Sequence, residues 1–352
     1  MITKFVKNNN MNKLIYILLV SVLAFGCKSE DQKEEAKELT VYTHRHYESD
    51  QELFKRFEEE SGIQLNIVNA SADELIQKMS LEGEQSPADV LITVDAGRLY
   101  RAKSQDLLQR FSSSLIDSIV PNHLKDEDGQ WVSLTKRARV IAYSKERVDS
   151  TQLSTYEDLT SDEWESKILV RSSSNIYNQS LLASIIANKG KESAENWANG
   201  IVENMARSPK GNDRDQVKAV ANGEGDLAIV NTYYIGKLLN SENEDEVEAG
   251  RSVDIFFPNQ ETTGTHINVS GIGVAKNSPN KENAIQFIEF LLQEEAQNIF
   301  AGSNYEYPVN PNVEPANILK EWGDFKEDTL SLNELGKNNK DAVIIFDKAG
   351  WK

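Results

Sequence analysis

Residues Ser208–Leu239 have the sequence SPKGNDRDQVKAVANGEGDLAIVNTYYIGKLL, which combines the signals of a helix, a strand and a second helix. Its first part predicts a helix, Gly223–Gly225 predicts a turn, and Leu227–Val230 predicts a short apolar strand. Two adjacent tyrosines, Tyr233 and Tyr234, stand where a second helix should begin. Residues at the carboxyl end of such a strand lie at the mouth of an open α/β sheet, where ligands bind. The two phenols are therefore candidate ligands.

The chain before this stretch alternates predicted strands with predicted helices. The strands are Leu39–Tyr42, Ile63–Ile67 and Asp89–Val94, and the last of them is apolar enough for a central parallel strand. Ser-x-x-Glu capping boxes at Ser49 and Ser71 predict the starts of the two helices between them. Three βα units in a row favour a doubly wound sheet over a sandwich or a helical bundle.

The rest of the chain predicts a second set of such units. Its elements are strands at Arg139–Tyr143 and Ile168–Arg171, a turn and helix over Ser172–Asn188, a crossing segment at Asp254–Val274, and a helix over about Asn280–Phe300. Tyr177 falls in the first turn of the first helix, and Ser278 is the predicted cap of the last one. Two α/β lobes joined by crossing strands enclose a cleft, and the residues that converge there decide the function.

The composition indicates a globular chain with an acidic surface. The 352 residues, 39% of them apolar, suffice for two domains. The formal net charge is −18, and leaving out the three lysines before Cys27 gives 35 basic and 56 acidic residues, or −21. Such a surface repels nucleic acid and anionic lipid headgroups and attracts cations.

The amino terminus is predicted to be a targeting segment. Its lysines precede an apolar run, Leu14–Phe25, which is too short to span a bilayer as a stable helix. Gly26 and the sole cysteine, Cys27, then resemble the lipobox of bacterial lipoproteins, in which Cys27 becomes the lipidated first residue. No cysteine remains for a disulfide or a thiolate metal site. The charged segment Lys28–Lys37 predicts a flexible tether.

Three predicted loops place aromatic hydroxyls at the cleft: the loop of His46 and Tyr47, the helix start at Tyr177, and the pair Tyr233 and Tyr234. A single tyrosine at a helix edge is most often a half-buried packing residue, so it is the shared location that favours a site. A phenol loses its proton at neutral pH only when a strong positive charge compensates. A trivalent cation supplies that charge, and oxygen donors with one imidazole are compatible with iron.

Four phenolates and a neutral histidine around Fe(III) leave one negative charge in excess, so basic groups are expected nearby. Arg45, Arg137 and Arg139 lie at predicted strand ends, although Arg137 and Arg139 are equally compatible with solvated surface residues. The amino ends of the helices at Tyr177 and Tyr233 add positive partial charge.

The other histidines are weaker candidates. His44 and His46 have a spacing that zinc sites use, but only His46 is expected to face the metal, because the predicted strand ends there. His123 and His266 have no acidic or cysteine partners at ligand spacing and are expected to be structural or exposed.

Several blocks of the chain resemble bacterial ferric-ion-binding proteins, the transferrin-like receptors of iron ABC transporters. The blocks are VYTHRHYESDQELFKRFEEESGI, KRARVIAYSKE, VRSSSNIYNQSLLAS, GNDRDQVKAVANGEGDLAIVNTYYIGKL and VIIFDKAGWK, in the family's order. The resemblance implies an α/β, two-lobed type II periplasmic binding protein fold, with a mixed, mostly parallel sheet in each lobe and crossing hinge strands. The expected divisions are a signal peptide at 1–26, the lipidated cysteine and tether at 27–38, an amino-terminal lobe at 39–134 plus 259–308, and a carboxy-terminal lobe at 135–258 plus 309–352.

In the branch of the family that this chain resembles, the ferric ion is held by a His-Tyr pair, a tyrosine in an SNIYNQS-like turn and the tyrosines of an NTYY-like block. The matching positions are His46, Tyr47, Tyr177, Tyr233 and Tyr234. Five protein donors leave little room for a bridging anion, so none, or a water, is expected. The implied function is capture of Fe(III) by a monomeric lipoprotein on the periplasmic or cell-surface side of a Gram-negative bacterium, and delivery to an ABC permease and its ATPase.

Two alternatives stay open. The same fold recognises polyamines or organic anions in other receptors, but the cleft predicted here collects tyrosine hydroxyls rather than facing carboxylates. A secreted hydrolase is disfavoured because the chain has no G-x-S-x-G or H-E-x-x-H motif and only four histidines. The chain is therefore not expected to be an enzyme.

Overall fold

The computed structural model describes residues 37–45 and 47–352. The predicted signal peptide, the lipidation site Cys27, most of the predicted tether and the predicted ligand His46 lie outside the described residues. In the described part, no helix is long and apolar enough to cross a membrane.

The described chain alternates strands with helices over most of its length. The strands are β1 Glu38–Thr43, β2 Gln64–Asn69, β3 Val90–Val94, β4 Leu108–Gln109, β5 Trp131–Ser144, β6 Ile168–Leu169, β7 Leu227–Asn231, β8 Val253–Phe256, β9 Ile267–Ala275 and β10 Tyr307–Pro308. The helices are α1 Glu48–Ser61, α2 Ala72–Glu82, α3 Ala96–Ser104, α4 Ser114–Ile119, α5 Ile176–Lys189, α6 Lys191–Glu203, α7 Asp213–Ala221, α8 Thr232–Leu239, α9 Glu244–Ser252, α10 Lys281–Leu292, α11 Glu294–Gly302, α12 Asn317–Glu321, α13 Asn333–Lys337 and α14 Asn339–Ala349.

The strands form one mixed sheet in the order β2-β1-β3-β9-β5-β7-β6. Its parallel pairs are β1 with β2, β1 with β3, and β6 with β7, whereas β5 and β9 pair antiparallel with their neighbours. The first half of β5 pairs with β9, and its second half, from Arg139 onward, pairs with β7 and β8. A single continuous strand therefore belongs to both halves of the sheet.

Three apolar cores pack the two lobes: one in the first lobe, and a second and a third on the two faces of the sheet in the second lobe. The first lobe packs α1, α2, α3 and α10 around β1, β3 and β9. In the second lobe, alternate residues of β5 and β7 face opposite sides of the sheet, so one cluster includes Ile141 and Ile229 and the other includes Val140 and Val230. Near the carboxyl end, Leu335 of α13 packs into the first core, while α14 packs into the second. The exact lobe boundaries proposed from the sequence stay a prediction.

Residues 208–239 have the predicted structure. Helix α7 is followed by a turn at Gly223 with φ of +75°, by β7, and by α8, which begins one residue before Tyr233. The capping box predicted at Ser71 is also present, because its side chain accepts from the backbone N–H of Glu74 while the Glu74 carboxylate accepts from that of Ser71. These features depend on residues close together in the chain.

Two predicted helix caps are wrong, because distant residues bind the side chains. Helix α1 begins one residue before Ser49, and the Ser49 hydroxyl instead accepts a hydrogen bond of 2.9 Å from the amide of Asn304. Ser278 lies two residues before Asn280, the cap position of α10; its hydroxyl donates to Asp89 at 2.6 Å and accepts from the Asn280 N–H at 3.2 Å. Neither serine caps the helix that the sequence predicts for it.

Three predicted elements have different extents. The helix predicted over about Asn280–Phe300 is interrupted at Gln293, whose backbone is extended, so it forms α10 and α11. The strand predicted at Arg139–Tyr143 is the end of the much longer β5. The central strand predicted at Asp89–Val94 is parallel to β1 on one side only, because β9 returns beside it antiparallel.

Candidate metal centre

The paired tyrosines lie at the end of β7, in the first turn of α8. Tyr233 is buried, Tyr234 is partly buried, and their ring centroids are 4.2 Å apart with an interplanar angle of 31°. Adjacent helical residues normally diverge around the helix axis, yet these two rings are in contact. The two phenols consequently belong to one group.

Tyr177 joins this group from a different helix. The side chain of Asn175 caps α5 by accepting from the backbone N–H of Tyr177, which fixes the first turn of that helix. The hydroxyl oxygen of Tyr177 lies 3.3 Å from that of Tyr233. Two phenol oxygens from separate βα units therefore meet at hydrogen-bond distance, which the sequence predicts only as a shared location.

Tyr47 approaches from the first lobe, in the connection between β1 and α1. The ammonium of Lys237 lies 4.0 Å from the centre of the Tyr47 ring and 5.6 Å from the centre of the Tyr233 ring. The guanidinium of Arg45 lies 4.8 Å from the Tyr47 ring on another side. Lys237 thus contacts aromatic rings from both lobes.

Burial keeps the phenols of Tyr47, Tyr233 and Tyr234 protonated in the metal-free protein. It raises the pKa of Tyr47 to about 12, with a further increase from Glu306 and an opposing effect of Arg45. It also raises the pKa of Tyr233 and of Tyr234, and the neighbouring Tyr177 adds to both increases. Phenolates at this position therefore require a compensating positive charge.

Three arginines surround the Tyr177 ring. The guanidinium carbons of Arg137, Arg139 and Arg171 lie 5.5, 5.9 and 5.5 Å from its centre. Arg137 and Arg139 are buried, so the alternative of solvated surface residues does not hold. Residues two apart on a strand face the same side, which is why both arginines of β5 reach this ring.

Buried carboxylates hold these cations in place. Arg45 donates to Asp50 and, at 3.0 Å, to Glu306, while Arg139 donates to Asp213 at 2.9 Å. Arg137 has weaker contacts, 3.4 Å to Ser270 and 3.9 Å to Glu306. Among the described residues, its Nε and Nη2 groups have no hydrogen-bond partner, so Arg137 is the least neutralised of these cations.

Two charged residues of this region, Lys237 and Glu306, are not among the site residues predicted from the sequence. Lys237 stands four residues after Tyr233, a spacing that puts both on one face of α8, and this local pattern is enough to find it. Glu306 precedes β10 and reaches the site only because that strand pairs with β5. No local pattern points to Glu306.

The other three histidines have surroundings of different kinds. His266 is buried, and burial with repulsion from Arg139 and Arg137 lowers its pKa to about 3. His123 lies 3.6 Å from Glu327, and His44 is partly buried at the end of β1. In residues 37–45 and 47–352, no three His, Cys, Asp or Glu side chains form a group that suits a metal ion. Within that part, phenol oxygens are the donors that converge.

The sequence matches the family model of bacterial extracellular solute-binding proteins over residues 85–326. The chain belongs to this family.

Its relatives within the solute-binding proteins include iron uptake protein A1 of Synechocystis, with 48% identity over 322 residues that cover 92% of this chain and 89% of the relative. A Trichodesmium protein solved in complex with iron and citrate has 47% identity and a TM-score of 0.87, covering 90% of this chain and 100% of that chain. The ferric binding protein of Campylobacter jejuni has 47% identity and a TM-score of 0.84, covering 89% and 100%. The resemblance to ferric-ion-binding proteins and the two-lobed fold of this solute-binding protein are thereby confirmed.

Proposed function

We propose that this solute-binding protein captures ferric iron between its lobes and delivers it to the permease of an ABC transporter. The main support for this proposal is the 3.3 Å distance between the hydroxyl oxygens of Tyr177 and Tyr233. The two phenols belong to a buried group with cations around it. The names of its relatives, iron uptake protein and ferric binding protein, agree with this cargo. Iron is bound and released here without a reaction.

The proposed donors are the phenolates of Tyr47, Tyr177, Tyr233 and Tyr234 with the imidazole of His46. Hard anionic oxygen donors favour Fe(III) over softer divalent ions. One lobe supplies His46 and Tyr47 and the other supplies the remaining three, so the ion closes the hinge by completing its own coordination. Five protein donors leave at most one position, which we assign to water rather than to a bridging anion.

The charges around the phenols support a trivalent ion. Fe(III) with four phenolates carries one negative charge in excess. The cations beside the phenols outnumber the carboxylates that pair with them, so the surroundings of the site carry net positive charge. The cations are Arg45, Arg137, Arg139, Arg171 and Lys237, and the carboxylates are Asp50, Asp213 and Glu306. Fe(II) has one positive charge fewer than Fe(III) to stabilise the phenolates, so reduction is expected to weaken binding.

The same chain is proposed to be a lipoprotein. Lipidation at Cys27 would anchor it on the periplasmic or cell-surface side of the membrane, with residues 28–38 as the tether to the folded part. This location places the captured ion beside a membrane permease. Globomycin treatment, which blocks lipoprotein processing, is expected to leave an unprocessed precursor, and unchanged processing would exclude the anchor.

The experiment that tests ferric binding combines metal analysis with visible spectroscopy. Fe(III) added to the metal-free protein is expected to produce a tyrosinate-to-iron charge-transfer band, whereas zinc and spermidine produce none. The double variant Tyr233→Phe, Tyr234→Phe should lose most of the band, while Tyr143→Phe, a partly buried tyrosine of β5, should keep it. A band of full strength in the double variant would favour an organic ligand instead.

A further inference from the structure

Asp95 connects the two lobes through a buried hydrogen bond. It follows β3 in the first lobe, and its two carboxylate oxygens lie 2.8 and 2.9 Å from the hydroxyl of Ser180. Ser180 belongs to α5, about one turn after Tyr177, and the apolar residues that follow it pack in the second core. Both side chains are fully buried. The helix that carries Tyr177 is thus tied directly to the opposite lobe.

The Asp95 carboxylate accepts from three donors that belong to different elements. Besides Ser180, the backbone N–H of Gly97 donates at 2.8 Å and the side-chain amide of Asn268 donates at 2.8 Å. Asn268 lies opposite Arg137 in the ladder of β5 and β9. The contact between the lobes therefore lies beside the crossing strands.

The backbone of Asp95 has an unfavourable conformation, which the surrounding contacts must maintain. Asp95 has φ of +82°, a region that residues other than glycine avoid. A Cβ atom on Gly97 would lie 3.0 Å from the Asp95 carboxylate and 3.9 Å from the backbone of Gly336 in α13. An ordinary helix cap explains the bond from Gly97, but it does not explain the bonds from Ser180 and Asn268.

We propose that Asp95 is a positioning residue for ferric iron: through Ser180 it fixes the first turns of α5, and with them Tyr177, relative to the lobe that carries Tyr47. The inference rests on the proposed function. Because the contact lies beside the strands about which the lobes rotate, opening displaces it little. It therefore acts as a pivot that returns the Tyr177 hydroxyl to the same place at each closure.

The test compares two serines of the same helix. Ser180→Ala removes the bond to Asp95, whereas Ser184→Ala removes a hydroxyl that is also buried but donates within α5 to the carbonyl of Leu181. Iron release from the loaded protein to an excess of EDTA is expected to be about tenfold faster in Ser180→Ala, the size of a lost hydrogen bond to a charged group. Ser184→Ala should release iron at the wild-type rate.

A double-mutant cycle separates positioning from general damage. In a protein that already carries Tyr177→Phe, Ser180→Ala is expected to change the release rate less than about twofold. Ser180 acts on the iron by positioning the Tyr177 hydroxyl, and this hydroxyl is absent from the variant. Asp95→Asn provides a second variant if Ser180→Ala folds poorly, since an amide offers donors where three donors converge. It should also accelerate release.

Each outcome decides the inference. Equal release by Ser180→Ala and Ser184→Ala overturns it, as does an equal effect of Ser180→Ala with and without Tyr177. If the wild-type protein takes up no Fe(III), the proposed function fails and this role fails with it. A wild-type protein that binds iron while the serine variants behave alike rejects the positioning role alone.

Discussion

Lys237 of α8 places its ammonium nitrogen 4.0 Å from the centre of the Tyr47 ring, although the two residues belong to opposite lobes. Burial lowers the pKa of Lys237, and the neighbouring Glu306 opposes this decrease. The lysine is partly buried and also contacts the Tyr233 ring. A cation so placed stabilises phenolates of both lobes at once.

Lys237→Met should therefore weaken ferric binding. Loss of one nearby cation is expected to lower the affinity about tenfold, measured by competition with a chelator of known strength. Lys237→Arg keeps the charge and should retain most of the affinity. Lys218→Met, on the neighbouring α7 and paired with Glu246, is the control for loss of a lysine elsewhere in the lobe. Equal affinities of Lys237→Met and wild type would contradict the role of this cation.

Ferric binding should release protons. The pKa of Tyr47 is raised to about 12, and those of Tyr233 and Tyr234 are raised as well, so these phenols hold their protons at neutral pH until the metal displaces them. We expect the affinity to fall by about one order of magnitude per pH unit for each phenol that the metal ionises, after correction for hydrolysis of the free ion. Proton release in a pH-stat measures this directly.

The single variant Tyr177→Phe serves as the control for that titration. It should release one proton fewer than the wild type on loading with the same ferric chelate. An unchanged proton count would show that Tyr177 does not ionise at the metal.

Gly236→Ala should destabilise the helix that presents the tyrosine pair. A Cβ at this position would lie 2.7 Å from the Cβ of Tyr305, and the crowding is expected to cost about 1–3 kcal/mol despite the better helix propensity of alanine. Gly302→Ala, in α11, meets no atom within 4 Å and should be neutral or slightly stabilising. Urea unfolding of the two metal-free variants compares them, and equal midpoints would argue against the tight packing of α8.

Acid should destabilise the protein through His266. Burial lowers the pKa of its imidazole from 6.5 to about 3, so the unfolded chain binds a proton that the folded chain excludes. The contribution of His266 to the free energy of unfolding is complete above pH 6.5 and decreases by at most about 1.4 kcal/mol per pH unit as the pH falls toward 3. His266→Asn should flatten this part of the stability curve.

Urea unfolding of the wild type and of His266→Asn between pH 6.5 and 3 measures this dependence. If the free energy of unfolding of His266→Asn depends on pH as it does in the wild type, other groups cause the acid sensitivity.

The parts of the site that sequence reasoning found depend on short-range patterns. The turn, strand and helix around Tyr233 are specified within Ser208–Leu239, and the first turn of α5 is specified by its cap. What the residues alone do not specify is how these segments meet: the distance from Tyr177 to Tyr233 depends on the packing of α5 beside β7. The ligand roles, and the placement of His46, stay predictions.

The errors in the fold have the same origin. Ser49 has the spacing of a helix cap, but Asn304 binds its hydroxyl from 255 residues away. The break at Gln293 and the full length of β5 likewise depend on partners that a local pattern does not contain. Glu306 was missed for this reason as well.

Strand β5 runs without a break through both lobes, with a register irregularity between Ser133 and Thr135, and it carries Arg137 and Arg139 toward the Tyr177 ring. Separation of the lobes must bend or twist this strand. Opening about this region carries Tyr47 of the first lobe away from the guanidinium groups of β5, whose charge stabilises ionised phenols. Under the proposed function, separation of the lobes therefore removes donors from the iron and weakens the electrostatic stabilisation of Tyr47 at the same time.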